Sequence, residues 1–420
     1  MKMESANNPL TSPAGTTVFR FHAMVKPGGA DCNLNCTYCY YLHKNALFGQ
    51  PARPRMSDEI LEKHIREYIA AQTGDEVVFS WQGGEPTLLG LDFFCRVVEL
   101  QRHYQKPGQR IENDLQTNGT LLNEEWAEFL GANRFLVGLS CDGPARLHDR
   151  FRVAGNGRPT HCQVVTAAKL LRDHQVPFNA LCVVNRENAR YPYDVYRFLT
   201  RELGAKRIQL IPCVEPRCFQ ETAPQHWQPE TMPEAGSARA RPGTSDSVVT
   251  DWSVDPDDWG NFLAKVWEDW FRRDYGKIHV DLFENAVTQA MGLPAQRCIS
   301  AEFCGKALAV EHDGNVYSCD HYVYPDYRLG NLRSANWSEL AFSARQIKFG
   351  LAKRDTLPGF CRRCEYLGLC WGGCPKDRFT RTPDGEPGLN YLCPGLKRFF
   401  SYIQPALAGI VNRIHSERRW

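Results

Sequence analysis

Three cysteines near the N-terminus have the types and spacing to hold a redox centre. Cys32, Cys36 and Cys39 lie in the stretch DCNLNCTYC. Three thiolates so close together suit a loop around one corner of a cubane iron-sulfur cluster, which leaves the fourth iron without a protein ligand. Chemistry could begin at that open iron. A zinc site is the alternative, because zinc needs only one more ligand nearby and His43 could supply it.

A second field of cysteines occupies the distal part of the chain. Eight thiols are enough for two four-thiolate sites, and four of them are too closely spaced for ordinary packing. The segments 307–311 and 316–318 alternate apolar and polar residues around the turn sequence HDGN, which predicts a β-hairpin. Two zinc ribbons compete with iron-sulfur clusters here, since both use short cysteine spacings. The eight residues are Cys298, Cys304, Cys319, Cys361, Cys364, Cys370, Cys374 and Cys393.

Strands and helices alternate over the first half of the chain, and this order predicts the fold that positions the first cysteine loop. Alternation predicts parallel strands, and polar or glycine-rich motifs at several strand ends predict a site on that face. Six such units, rather than eight, predict an α/β fold built on a partial (β/α)6 barrel that is open on one side. The predicted strands are 17–24, 77–81, 113–116, 135–140, 178–184 and 208–211.

Composition shifts divide the chain into six segments. A proline-rich excursion interrupts the α/β pattern, and its composition fits either a disordered linker or a functional lid. The predicted segments are a flexible leader (1–15), the barrel (16–214), the excursion (215–256), linking helices (257–297), the distal cysteine domain (298–396) and a C-terminal helix (397–420).

The composition is that of a globular protein, and its charge gives no indication of binding to polyanions. The chain has 420 residues, 43% of them hydrophobic, with 50 Lys and Arg against 48 Asp and Glu. A charge this balanced gives no reason to expect nucleic acid or a membrane surface as partner. No apolar run reaches membrane-spanning length, and the polar start lacks a signal-peptide core, so we expect a cytoplasmic protein. Its 17 cysteines therefore indicate metal or redox ligation more than disulfides.

The CxxxCxxC motif resembles that of the radical S-adenosylmethionine (SAM) enzymes. From about residue 18 to 396 the chain resembles those with a C-terminal SPASM domain, above all the anaerobic sulfatase-maturating enzymes. The resemblance implies SAM and three 4Fe-4S clusters, the first held by the N-terminal motif. The implied ligands of auxiliary cluster I are Cys298, Cys304, Cys319 and Cys374. Those of auxiliary cluster II are Cys361, Cys364, Cys370 and Cys393.

The resemblance also implies five SAM-binding residues. Each lies in the cysteine loop or at or beyond the end of a predicted strand, where one cofactor could contact them all. Arg152 offers a guanidinium for a carboxylate, and Ser140 offers a hydroxyl. The five residues are Tyr38, Gly84, Ser140, Arg152 and Val214.

The implied reaction is oxidation of a cysteine or serine side chain of an unfolded sulfatase peptide to Cα-formylglycine without O2. A radical derived from SAM removes a hydrogen atom from the substrate Cβ, and the second electron leaves through the auxiliary clusters. Asp320 matches the family's proton acceptor, provided that burial raises its pKa. A flavodoxin- or ferredoxin-like protein is the implied electron donor.

Two other interpretations of the sequence remain. Another SPASM enzyme, forming thioether or carbon-carbon crosslinks in peptides, would share the ligands but need not have Asp320. A zinc-stabilised scaffold that binds a partner would catalyse nothing.

Overall fold

The largest feature of the computed structural model, which describes residues 21–49, 51–224 and 226–417, is one ten-stranded sheet. The predicted leader and residues 17–20 of the first predicted strand lie outside the described residues. The strands are β1 (His22–Lys26), β2 (Glu76–Trp81), β3 (Arg110–Thr117), β4 (Leu136–Ser140), β5 (Phe178–Val184), β6 (Arg207–Pro212), β7 (His279–Val280), β8 (Ala307–Glu311), β9 (Asn315–Tyr317) and β10 (Arg328–Asn331). A separate two-stranded sheet pairs β11 (Thr380–Arg381) with β12 (Pro387–Leu389).

The sheet order is β10-β9-β8-β1-β2-β3-β4-β5-β6-β7. Strands β1 to β6 are the six predicted from sequence and pair in parallel, so the partial barrel is confirmed. Val77, Phe79 and Trp81 of β2 are buried, as expected of a strand covered by helices. The segment 257–297, from which we expected helices alone, also supplies β7.

The helices connect the strands and cover the sheet. Ser57 caps the second helix, since its side chain accepts a hydrogen bond from the Ile60 backbone N–H. The last helix begins at Cys393, four residues before the predicted start. The helices are α1 (Lys44–Phe48), α2 (Asp58–Ala71), α3 (Leu91–Tyr104), α4 (Glu124–Ala132), α5 (Ala145–His148), α6 (His161–Asp173), α7 (Pro192–Arg197), α8 (Pro256–Arg273), α9 (Asp281–Ala290), α10 (Trp337–Ala341), α11 (Ala344–Asp355), α12 (Gly359–Arg362), α13 (Leu367–Cys370) and α14 (Cys393–Glu417). No helix of the described ranges has both the length and the apolarity to cross a membrane.

The predicted hairpin of the distal domain joins the barrel sheet directly. Strand β8 pairs in parallel with β1, with Lys26 opposite Glu311, and β9 returns antiparallel to β8. Sequence pattern predicted the hairpin but not its neighbour in the sheet. The pairing carries Cys319 and Asp320, which follow β9, to the part of the molecule where β1 leads into the first cysteine loop.

The middle of the junction between β1 and β8 is apolar and buried, so a substitution there tests how strongly the two halves of the chain are held together. Leu308 lies opposite Ala23 and has no exposed surface. We expect Leu308→Ala to lower the free energy of unfolding by about 2–5 kcal/mol, because it opens a cavity in the core. Thermal unfolding of anaerobically purified protein measures the effect. The control is Leu293→Ala, at a residue 50% exposed; an equal loss there would contradict the role of the junction.

The proline-rich excursion packs on the distal domain. Its ends pair with each other, since Thr250 donates a backbone hydrogen bond to the Glu215 carbonyl oxygen at 2.9 Å. The Tyr324 hydroxyl donates to the Phe219 carbonyl, and the Tyr327 hydroxyl donates to the Pro224 carbonyl at 3.1 Å. The excursion therefore lies against the chain that follows Asp320.

Candidate active site at the end of the first strand

The first cysteine loop is held by backbone contacts on both sides. Its Asn35 and Thr37 N–H groups donate to carbonyls of Val153 and Phe151 at 2.8 and 3.0 Å. Burial raises the pKa of both Cys32 and Cys36 to about 12. Thiols in such a place become thiolates only when a metal supplies compensating charge, which fits an iron-sulfur cluster held here.

Gly84 contacts the loop more closely than any other residue type could. Its N–H donates to the Gly29 carbonyl oxygen at 2.9 Å, and the next N–H, of Glu85, donates to the Asp31 carbonyl oxygen at 2.7 Å. A Cβ on Gly84 would lie 1.9 Å from the Asp31 carbonyl oxygen. The glycine, predicted to approach SAM, thus lets the second strand's loop fit against the residue before Cys32.

Tyr38 and Arg152 meet on a carboxylate to which the sequence analysis gave no role. Asp142 has no exposed surface, and it accepts hydrogen bonds from the Tyr38 hydroxyl and from Arg152 Nε, the latter at 3.2 Å. The Arg152 guanidinium carbon lies 5.5 Å from the centre of the Tyr38 ring. The motif Cys141-Asp142-Gly143 at the end of β4 was the signal that could have identified this carboxylate. Asp142 fixes both predicted SAM contacts beside Cys36.

The other two predicted SAM contacts are buried at neighbouring strand ends. Ser140 is the last residue of β4, and its side chain makes no hydrogen bond within the described ranges. Val214 follows β6 and is fully buried, and its carbonyl oxygen accepts a hydrogen bond from Lys376 Nζ at 2.7 Å. Their roles toward SAM stay predictions.

Asp320 lies in a buried ion pair whose cation comes from β1. Lys26 Nζ is 2.5 Å from Asp320 Oδ1, and the two side chains are 1% and 13% exposed. The Tyr40 hydroxyl donates to the other oxygen of the carboxylate. Burial by itself would raise the pKa of Asp320, but Lys26, His321 and Tyr40 hold it below its ordinary value. The expectation of a raised pKa for Asp320 was therefore wrong, because the sequence did not show that Lys26 and Asp320 would form an ion pair.

The eight distal cysteines form two groups in space. The first group surrounds Cys319, whose thiol pKa is raised by burial and further by the charges of Cys298 and Cys374. The second lines one pocket that encloses about 410 Å³ with its opening to solvent included. Members of the first group are Cys298, Cys304, Cys319 and Cys374. Members of the second are Cys361, Cys364, Cys370 and Cys393.

The two distal groups fit multi-iron clusters, since each ligand of such a cluster binds a different iron and the four thiols of the second group are spread around one pocket. His43, considered as a fourth zinc ligand, packs edge-on against Phe219, with 5.1 Å between the ring centres.

Comparison with known proteins agrees with this geometry. The radical SAM superfamily matches residues 28–199, and the SPASM iron-sulfur cluster-binding domain matches residues 298–365. A serine-type anaerobic sulfatase-maturating enzyme of Bacteroides thetaiotaomicron is 44% identical over 384 residues, 91% of this chain and 89% of that protein. The chain belongs to the anaerobic sulfatase-maturating enzymes. A cysteine-type member from Clostridium perfringens is 33% identical over 394 residues, 93% of this chain and 98% of that protein.

A solved structure extends the likeness to the fold. Native anSMEcpe with bound AdoMet and Cp18Cys peptide matches this chain with a TM-score of 0.78 and 32% identity, covering 93% of this chain and 99% of that one. The family and fold predicted from the sequence are thereby confirmed. The chain is a radical SAM enzyme of the sulfatase-maturating family and not a non-catalytic zinc scaffold.

A pocket lies beside Asp320, between the distal domain and the excursion. Tyr40, which donates to the Asp320 carboxylate, and His321, whose ring lies 5.0 Å from the Tyr40 ring, form part of its wall. The excursion supplies an apolar wall that includes Phe219, Pro224 and Trp227. The pocket encloses about 400 Å³ with its opening included. Sequence left the role of the excursion open, and the structure places it beside the candidate base.

The buried ion pair between Asp142 and Arg152 should contribute more to stability than an exposed ion pair does. We expect Asp142→Asn to lower the free energy of unfolding by about 3–5 kcal/mol, because Arg152 is left buried without its counter-charge. Weaker SAM binding should accompany the loss, measured by equilibrium dialysis. The control is Asp194→Asn, at a residue 54% exposed and paired with Arg146. Unchanged stability of the Asp142 variant would contradict the anchoring role.

Proposed function

We propose that the protein oxidises a cysteine or serine side chain of an unfolded sulfatase peptide to Cα-formylglycine, with Asp320 as the proton acceptor. The observation that carries this proposal is the placement of Asp320. Pairing of β8 with β1 brings the carboxylate to Lys26, the last residue of the strand that leads into Cys32, Cys36 and Cys39.

Asp320 is held ionised and oriented for this role. Lys26 fixes one oxygen and the Tyr40 hydroxyl the other, so the carboxylate has a single orientation beside the pocket. A carboxylate kept in its charged form can accept the proton of a substrate thiol or hydroxyl during oxidation. Its low basicity means that it acts by position, within hydrogen-bond reach of a proton that becomes more acidic as the side chain is oxidised.

The cysteines supply three cluster sites in this proposal. Cys32, Cys36 and Cys39 hold the first cluster, and the two distal groups hold auxiliary clusters I and II. When bound, the first cluster and SAM supply the radical that removes a hydrogen atom from the substrate Cβ. Tyr38 and Arg152, anchored on Asp142, orient SAM beside Cys36.

The pocket wall determines how the peptide is presented. Phe219, Pro224 and Trp227 offer apolar surface to the small residue two positions after the reacting one, proline in Cys-x-Pro-x-Arg or alanine in Ser-x-Ala-x-Arg. The titratable side chains around the pocket are Tyr40, Glu215, Cys218, His321, Tyr324 and Lys376. An unfolded peptide fits this site because the reacting side chain must reach a buried carboxylate. A flavodoxin- or ferredoxin-like protein is proposed as the electron donor.

Mass spectrometry of both peptides tests the proposal. Each peptide is incubated anaerobically with the protein, SAM and reductant, and formylglycine is identified by its mass and by reaction with a hydrazide. We expect product from at least one peptide. SAM cleavage without a mass change on either would indicate a different peptide modification, and SAM left intact would contradict the radical mechanism.

A further inference from the structure

Two buried cations lie among the distal cysteines and have no carboxylate partner. Lys353 has no exposed surface and Arg378 is 8% exposed. Neither makes an ion pair with any residue of the described ranges. The nearest acid in sequence, Asp377, is paired with Lys376 at 2.9 Å. Burial of an unpaired charge is strongly unfavourable, so another negative group must compensate these two.

Lys353 holds the segment that carries the first ligand of auxiliary cluster I. Its Nζ donates to the carbonyl oxygens of Cys298 at 2.6 Å and Ile299 at 3.0 Å, and also to that of Ala301. Three carbonyl acceptors need three N–H donors, which only the charged ammonium has. The lysine is therefore a buried positive charge.

Arg378 holds the turn that connects the two cysteine groups. Its Nε donates to the Gly372 carbonyl oxygen at 3.0 Å, and its NH2 group donates to that of Trp371 at 2.8 Å. Trp371, Gly372 and the next glycine all have φ between 45° and 67°, so the turn directs its carbonyls toward the guanidinium. Cys370 on one side of this turn belongs to the second group, and Cys374 on the other side belongs to the first.

The two cations are linked to each other. Arg378 NH1 donates to the Lys353 carbonyl oxygen at 2.6 Å. Arg378 donates to Trp371 and Gly372, which lie between Cys370 of the second group and Cys374 of the first, so the guanidinium lies beside ligands of both groups. Burial lowers its pKa, and thiolates at Cys374, Cys361 and Cys370 would oppose that shift. Lys353 faces ligands of the first group, Cys298 and Cys304.

We propose that Arg378 and Lys353 form a cationic bridge that raises the reduction potentials of the auxiliary clusters, Arg378 acting on both and Lys353 on cluster I. A cluster bound by four thiolates is anionic and gains one more negative charge on reduction. A fixed positive charge in a low-dielectric interior favours the reduced form. The clusters in turn supply the counter-charge that the two buried cations lack.

Redox titration followed by electron paramagnetic resonance tests this role on the intact holoenzyme. Arg378→Gln removes the charge and keeps an N–H donor, whereas Arg378→Lys keeps the charge. We expect Arg378→Gln to move two cluster signals to more negative potential and Lys353→Gln to move one. Arg378→Lys should stay near wild type. The signal that responds to SAM belongs to the first cluster and should not move.

The matched control is Arg363→Gln, which changes a residue next to Cys364 that is 71% exposed. Solvent and salt screen that charge, so we expect no shift. Loss of clusters in Arg378→Gln alone, with retention in Arg378→Lys, would also support charge compensation. Three results would overturn the proposal: unchanged potentials in Arg378→Gln, equal shifts in both Arg378 variants, or loss of iron from both. Each would show that Arg378 acts by holding the turn in place and not through its charge.

The inference rests on the auxiliary clusters of the proposed function, and iron and sulfide analysis of the unmodified holoenzyme separates the two. Protein holding a single cluster would overturn the cluster proposal and this one with it. Protein that holds three clusters whose reduction potentials are unchanged in the Arg378 variants would overturn this inference alone.

Discussion

Asp320→Asn should abolish formylglycine formation and leave SAM cleavage and iron content intact. The variant keeps the size of the side chain and its contact with Tyr40 but cannot take up a proton. Loss of a positioned general base typically lowers the rate by about 10²–10⁴-fold. Cleavage of SAM depends on Cys32, Cys36, Cys39 and the Asp142 group, none of which pairs with Asp320. The substitution also removes the counter-charge of the buried Lys26, so thermal unfolding is measured beside the two activities. Parallel assays of 5′-deoxyadenosine and of peptide product measure the two effects.

Asp326→Asn is the matched control for this experiment. Asp326 lies six residues away in the same connection, is 68% exposed, and forms an ion pair with His226 at 3.5 Å. We expect wild-type activity from it. Formylglycine production at the wild-type rate by Asp320→Asn would remove the carboxylate from the mechanism.

We expect the Gly84→Ala variant to lose the first cluster. The added methyl group would lie 1.9 Å from the Asp31 carbonyl oxygen and 2.5 Å from its carbonyl carbon, and neither backbone atom can rotate away. The cysteine loop must move instead, which displaces Cys32 from its place beside Asn118. Overpacking of this kind typically costs about 1–3 kcal/mol, and the metal site suffers further because its ligands lose their geometry. We expect iron content to fall by about one cluster in three and SAM binding to be lost.

Gly155→Ala provides a matched control against the same loop. A Cβ at Gly155 would lie 3.9 Å from the Asn33 carbonyl oxygen, an ordinary contact. That variant should keep its iron. If Gly84→Ala retained all iron and bound SAM normally, the close backbone approach would not be what positions the loop.

The cysteine loop illustrates what sequence can predict well. Its three ligands lie within one short segment, so their spacing alone limits the sites they can form. The six parallel strands could be predicted equally well, because each carries a local apolar pattern and several end in a polar or glycine-rich motif. The eight distal cysteines gave the number of sites, and the family resemblance gave their grouping.

Contacts between distant segments account for what sequence reasoning missed. Tyr40 and Asp320 are 280 residues apart, and no periodicity connects them. Asp142 was visible as a motif, yet only folding shows that it pairs with Arg152 and Tyr38 together. The charge balance around Asp320 was misjudged for the same reason, since a pKa depends on neighbours in space.

The sequence by itself predicted the barrel, because each strand and helix has a local pattern, and through its family resemblance it predicted the family and the cluster ligands. The tertiary structure decided how the halves work together. Pairing of β8 with β1 sets Asp320 on Lys26, and the excursion forms a wall beside it. Arg378 and Lys353 meet between the two distal cysteine groups through backbone carbonyls, which no side-chain pattern reveals. The packing of the whole chain determines which strands pair and which charges are buried together. These contacts place the proposed proton acceptor near the proposed radical site.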